Sequence, residues 1–195
     1  MKRLIGLILV LLFSLSALGD TCTPDQSIMK NIRDNFYLAI HDDPTTISLI
    51  KYIEDKFPGD RNNYPPVILA YYAALQGLRG KHSAFLPTKY ERVKNSIPLM
   101  DSAVKKQPDC LEAHFLRYAF YEQIPALFGV KDQVSEDLKT VIHLLAHRDC
   151  KFVCSEVQRD MISYILTTAY PSQTQRAQLQ KIFKGFAQDE RISLN

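Results

Sequence analysis

The chain contains no tryptophan, only seven glycines in 195 residues, and no long run of like charge. Each scarcity excludes something. Phosphate-cradling loops need clustered glycine, and neither a Walker-type loop nor a dinucleotide-binding fingerprint occurs. HExxH and GxSxG are missing as well, so the common metalloprotease and serine-hydrolase motifs are not written here. No window alternates apolar and polar residues between Asn-Gly or Asp-Gly turns, which argues against β-hairpins. Without a block of basic residues, nucleic acid and anionic membrane surfaces are poor partners. Nothing in the sequence calls for a cofactor, and catalysis is not expected.

The ends are informative. Lys2 and Arg3 precede a short apolar stretch, Leu4 to Phe13, followed by small residues around Ala17-Leu18-Gly19. That order is the grammar of a secretory signal, and the stretch falls short of the ~20 apolar residues needed to span a bilayer. The expected organisation is a signal at 1–19 and a single domain at 20–195, periplasmic or secreted, with no stable membrane insertion after cleavage. Asp20 argues against a lipid anchor on Cys22. Of the 24 Lys and Arg against 21 Asp and Glu, Lys2 and Arg3 lie in that segment, so the remainder is one charge from neutral. All four cysteines, Cys22, Cys110, Cys150 and Cys154, lie beyond the signal. In an exported chain an even number suggests disulfides.

What recurs along the rest is helical spacing with strong start signals. Thr23…Gln26, Thr88…Glu91, Asp109…Glu112, Ser155…Gln158 and Ser172…Gln175 each read as capping boxes, in which a short polar side chain and one three residues on satisfy orphan N–H groups. Asp43-Pro44 and Pro65-Pro66 open two more helices, and Asp132 caps another. The pattern predicts about eight helices near 25–41, 44–57, 65–79, 88–106, 110–124, 132–147, 155–169 and 173–190. Pro98 falls inside the fourth and is expected to kink or split it. Alternate helices start near 25, 65, 110 and 155, a repeat of ~40–45 residues that suits stacked helical hairpins. Two hairpins carry similar loops, KHSAFLPT and PALFGVKD, each with a short apolar run (Ala84-Phe85-Leu86 and Ala126-Leu127-Phe128).

Ala103, Pro108, Ala113 and Tyr121 stand at the spacings that tetratricopeptide repeats use for close packing and for the break between repeats. On these residues the chain resembles the tetratricopeptide superfamily, although His114 and Tyr118 replace a large apolar residue and a glycine, and the repeat is too long. The run from Lys89 to Asp137 is also similar to a group of uncharacterised exported bacterial proteins, through Pro108, Asp109, Glu112, Phe115, Leu116 and Arg117, then Leu127, Phe128, Gly129, Glu136 and Asp137. The resemblance implies an all-α, tetratricopeptide-like solenoid of stacked antiparallel hairpins, and brings no activity with it.

Two constellations could carry chemistry. His143 and His147 share a helix face, with Cys150 and Cys154 close behind, and two imidazoles with two thiolates could hold Zn²⁺. An oxidising compartment would instead consume the thiols as disulfides. The hairpin geometry places Cys110, Cys150 and Cys154 at one end of one hairpin, so a bridge from Cys110 to Cys150 or Cys154 is expected. Closing a loop of ~40 residues would stabilise by ~3–4 kcal/mol on the chain-entropy model. The other constellation is a surface. In stacked hairpins the first helices line one concave face, which would gather Tyr72, Gln76 and Arg79 with His114, Arg117, Tyr118 and Tyr121. Tyr and Arg suit a peptide or a carboxylate, although the same tyrosines would equally serve as packing between hairpins. The expectation is a helical-repeat protein that binds a protein or peptide partner in the cell envelope. A metal-binding protein and an enzyme of unknown class are the alternatives.

Overall fold

The computed structural model describes residues 24–147, 153–168 and 171–193, the side chains beyond residue 186 excepted. Those residues are all-α, with eight α-helices and no strand among them. The helices are α1 (Gln26–Ala39), α2 (Asp43–Lys56), α3 (Pro66–His82), α4 (Leu86–Lys106), α5 (Leu111–Gln123), α6 (Lys131–His147), α7 (Ser155–Thr168) and α8 (Gln173–Ser193). Short 3₁₀ turns at Arg61–Asn63 and Ala126–Phe128 lead into α3 and α6. The signal segment, Cys22, Thr23 and Cys150 lie outside the described residues.

Capping explains the starts, though not always through the residues the sequence suggests. Asp25 caps α1, accepting from the N–H groups of Ser27 (2.8 Å) and Ile28 (3.3 Å). A bond from the Ser27 hydroxyl to the same oxygen, and then these two backbone bonds, hold its carboxyl below the usual range. Asp42, not Asp43, caps α2 by accepting from Thr45 N–H at 2.8 Å, with Pro44 in the first turn. The box at Ser172…Gln175 forms in both directions: Ser172 N–H donates to the Gln175 amide oxygen, and Gln175 N–H to Ser172 Oγ. Three other boxes do not form as expected. Helix α4 begins two residues before Thr88, with Phe85 at its cap. Gln158 is buried and donates to the Val153 carbonyl at 2.7 Å. Cys110 occupies the cap of α5 and makes no side-chain capping bond, while Glu112 is drawn elsewhere by a buried arginine.

Pro98 does not divide α4, which runs unbroken from Leu86 to Lys106. Both Pro98 and Lys94, whose carbonyl loses its donor, are exposed, so water satisfies the group that the ring leaves bare.

Helices pair as consecutive neighbours (α1 with α2, α3 with α4, α5 with α6, α7 with α8), and α3 also meets α1, α2 and α5. Two glycines permit the closest approaches. A Cβ on Gly80 would lie 3.1 Å from the Lys89 carbonyl oxygen on α4, and one on Gly77 would lie 2.4 Å from the Phe120 ring on α5. Two apolar clusters result. One joins α1 to α5 around Met29, Ile32, Ile53, Leu69, Leu75 and Met100. The other joins α5 to α8 around Tyr118, Leu145, Ile162, Ile165 and Leu179. Helix α5 serves both, since Ala113, Leu116 and Tyr121 face the first and Leu111 and Tyr118 the second.

Candidate functional site

Because α5 lies between two cores, its polar residues become ties. Arg33 on α1 donates through Nε and Nη2 to both oxygens of Glu112, at 2.8 and 2.6 Å, and the Tyr71 hydroxyl donates to the same carboxylate at 2.6 Å. Burial by itself would lower the Arg33 pKa, but the hydrogen bonds and charge of Glu112 outweigh it and the net shift is upward. Burial, then the Glu112 charge, push the Tyr71 phenol well above its ordinary value.

A second tie surrounds Asp137 of α6, which is fully buried. Arg117 donates to it twice, at 2.7 and 2.9 Å, and reaches Asp101 of α4 at 3.0 Å with its third nitrogen. Tyr121 donates to the same Asp101 oxygen at 2.7 Å. His114 places Nδ1 2.7 Å from Asp137 and Nε2 2.8 Å from the Pro108 carbonyl. Both partners are acceptors, so only a ring protonated on both nitrogens donates to both.

The residues expected to line a concave binding face are therefore mostly interior. Tyr72, Tyr118 and Tyr121 are 1–2 % exposed, and His114 is buried with them. Tyr72 donates to Glu54 at 3.0 Å under the Arg61 guanidinium, whose centre lies 4.8 Å from the ring. Burial and that bond push its phenol up to about 12. Burial also raises the Tyr118 and Tyr121 phenols. Gln76 and Arg79 are half-buried further along α3, and Arg79 Nε is buried with no hydrogen-bond partner. Of the seven, these two keep the most freedom to meet a ligand.

The His/Cys constellation is not assembled among the described residues. The rings of His143 and His147 lie tilted to one another with centroids 4.2 Å apart, and His147 Nδ1 bonds the His143 carbonyl at 2.8 Å. No group of three or more His, Cys, Asp or Glu suited to a metal occurs among the described residues. Cys154 is an exposed free thiol, so the expected alternative of a Cys110–Cys154 bridge is corrected. A polar cleft of about 380 Å³ lies at the α2–α3 connection, lined by Glu54, Gly59, Asp60, Arg61 and Tyr64. Arg61 already bonds Glu54 there at 3.3 Å.

What sequence reading passed over is the outside of the hairpin tips. Among the described residues eight large apolar side chains are exposed, and seven of them belong to the α1–α2, α3–α4 and α5–α6 connections or to the helix turns beside them. Tyr37 and Leu38 stand in the last turn of α1, and Ile47 near the start of α2. Phe85 and Leu86 form the α3–α4 turn, Tyr90 follows in α4, and Leu127 projects from the α5–α6 connection. Hydrogen bonds place these connections together. His82 and Lys81 at the end of α3 bond the carbonyls of Ala39 and Ile40 at the end of α1, at 3.0 and 2.8 Å. The Tyr90 ring stacks on Phe128 across the next gap, with centroids 5.1 Å apart. The signal was present in the two apolar loop runs, but without the packing it could not be told from buried turns.

No protein-family model, curated protein or solved structure matches this chain. Among the described residues no helix is long and apolar enough to cross a membrane.

Proposed function

We infer that this chain is an exported, tetratricopeptide-like stack of helical hairpins that binds a protein partner in the cell envelope through its hairpin tips. One observation carries the reading: seven large apolar residues are held exposed at or beside the α1–α2, α3–α4 and α5–α6 connections. Scattered exposed apolar residues are ordinary, whereas a collected patch marks a place of interaction. Export is supported by the signal-like segment at 1–19 and favours a disulfide. Cys110 is fully buried at the start of α5 and is not among the free thiols. Of the two partners expected for it, Cys150 and Cys154, the free thiol of Cys154 leaves Cys150 as the bridge of this reading.

In-cell photo-crosslinking tests the reading. A photoreactive residue at position 85 or 127 is expected to give protein adducts, while one at exposed Lys105, at the far end of α4, gives none. Equal labelling from both ends, or none from the tips, would remove the case for a tip interface.

A further inference from the structure

We propose that the partner of the hairpin tips is a second copy of this chain, joined tip to tip about a two-fold axis. The proposal rests on the reading of the tips as an interaction surface and names what covers them.

Area is the first argument. A whole aromatic side chain covers ~150–250 Å², and Phe85, Tyr90 and Tyr37 keep 65, 48 and 69 % of their surface open. With Leu38, Ile47, Leu86 and Leu127 the tips present on the order of 700–800 Å², close to the ~800 Å² per partner of a stable protein–protein interface. A crevice for a short peptide would need less area and more concavity.

Charge is the second. Exposed Lys81 and Lys131 stand at the rim beside exposed Asp42, Glu91 and Asp132. A lipid surface would favour cations alone, and a strongly charged partner would favour the opposite sign alone. Mixed signs on one rim suit a surface that meets itself, because an isologous contact sets each patch against the same patch reversed. With Phe85 and Leu86 near the axis, the α1–α2 side of one copy covers the α5–α6 side of the other. Asp42 of one copy then approaches Lys131 of its mate, and Lys131 meets Asp42 in return. The bonds from Thr45 to Asp42 keep that carboxyl below its ordinary range, so it stays ionised for the pairing.

Sedimentation equilibrium of the protein purified from its producing cells tests this, with and without Phe85→Glu and Leu127→Glu together. Both positions are exposed, so helix content by circular dichroism should not change. The wild type is expected to be a dimer at ~50 µM, since interfaces of this size bind at micromolar or tighter, and the double variant a monomer. A monomeric wild type, or a dimer that survives the double variant, overturns the proposal. Co-sedimentation with vesicles of neutral or anionic lipid is the parallel arm. Binding that the double variant loses would overturn both the second copy and the protein-partner reading. Monomeric wild type whose photo-crosslinks still arise only from positions 85 and 127 would overturn the second copy alone.

Discussion

Replacing Glu112 by alanine is the sharpest test of the packing described above. The Glu112 side chain is 2 % exposed and that of Arg33 14 %, so the pair is not a surface ion pair discounted by solvent. Removing the carboxylate takes from the interior Arg33 guanidinium its bidentate partner Glu112, and from the Tyr71 hydroxyl its acceptor. Breaking one side of a buried pair costs ~3–5 kcal/mol, mostly from the charge left behind. For a chain of this length each kcal/mol moves the melting temperature by ~2–4 °C, so Glu112→Ala should melt about 6–20 °C lower. The informative comparison is the apolar replacement Arg33→Met with Glu112→Leu and Tyr71→Phe. With no orphan left, the triple variant should recover to within ~1–2 kcal/mol of wild type, because buried pairs and packed apolar groups are often near parity. Urea unfolding followed by circular dichroism reads both numbers. A Glu112→Ala loss under ~1 kcal/mol, or a triple variant no better than the single, would show that the tie contributes nothing specific.

Four further outcomes follow from the same structure. Pro98→Ala should stabilise by ~1–3 kcal/mol, since it restores a helix-interior N–H and removes the ring's clash with the preceding turn; a loss of stability would mean that the ring itself packs. Gly80→Val should destabilise by ~1–3 kcal/mol, because the added atoms meet the α4 backbone at the Lys89 carbonyl; unfolding curves superposable on wild type would show that α4 can retreat freely. The raised tyrosine pKa values predict alkaline weakening. A phenol whose folded pKa exceeds its unfolded value stabilises fully below pH ~10, and the Tyr72 contribution is lost as pH climbs toward about 12. Tyr72→Phe should flatten that part of the stability profile, and an unchanged profile would remove Tyr72 from the explanation. Finally, iodoacetamide applied to native, unreduced protein should label Cys154 and spare Cys110, which peptide mass mapping reads directly.

The helices were legible because their signals are local. Apolar spacing, a proline near the first turn and a short polar cap sit within a few residues of the boundary they set, and the expected spans agree with the observed ones to within three residues at every described end. Pro98 shows the limit even there, since whether a proline breaks a helix depends on whether the bared carbonyl meets water. The caps that failed did so for a tertiary reason. Glu112 has the right spacing from Asp109 for a capping box, yet the charge of Arg33, seventy-nine positions earlier, is a stronger attraction than a backbone N–H.

The same physics explains why the expected binding face turned inward. Tyr72, His114, Arg117 and Tyr121 carry hydrogen-bonding heads on large side chains, and such residues suit a ligand surface and a helix–helix seam equally well. What decides is whether each head has an internal partner. Glu54 takes Tyr72, Asp137 takes His114 and Arg117, and Asp101 takes Tyr121 together with the third arm of Arg117. Each of those carboxylates comes from a different helix, so the seam exists only once α2, α4 and α6 have closed around α3 and α5. Phe85 and Leu127 run the other way. Their chemistry reads as core, but each sits in a turn between two helices whose own apolar stripes are already spent on their neighbours. A polar side chain that finds a partner inside the stack is withdrawn from recognition. An apolar one that finds none remains available for it, and on this chain the second kind gathers at the tips.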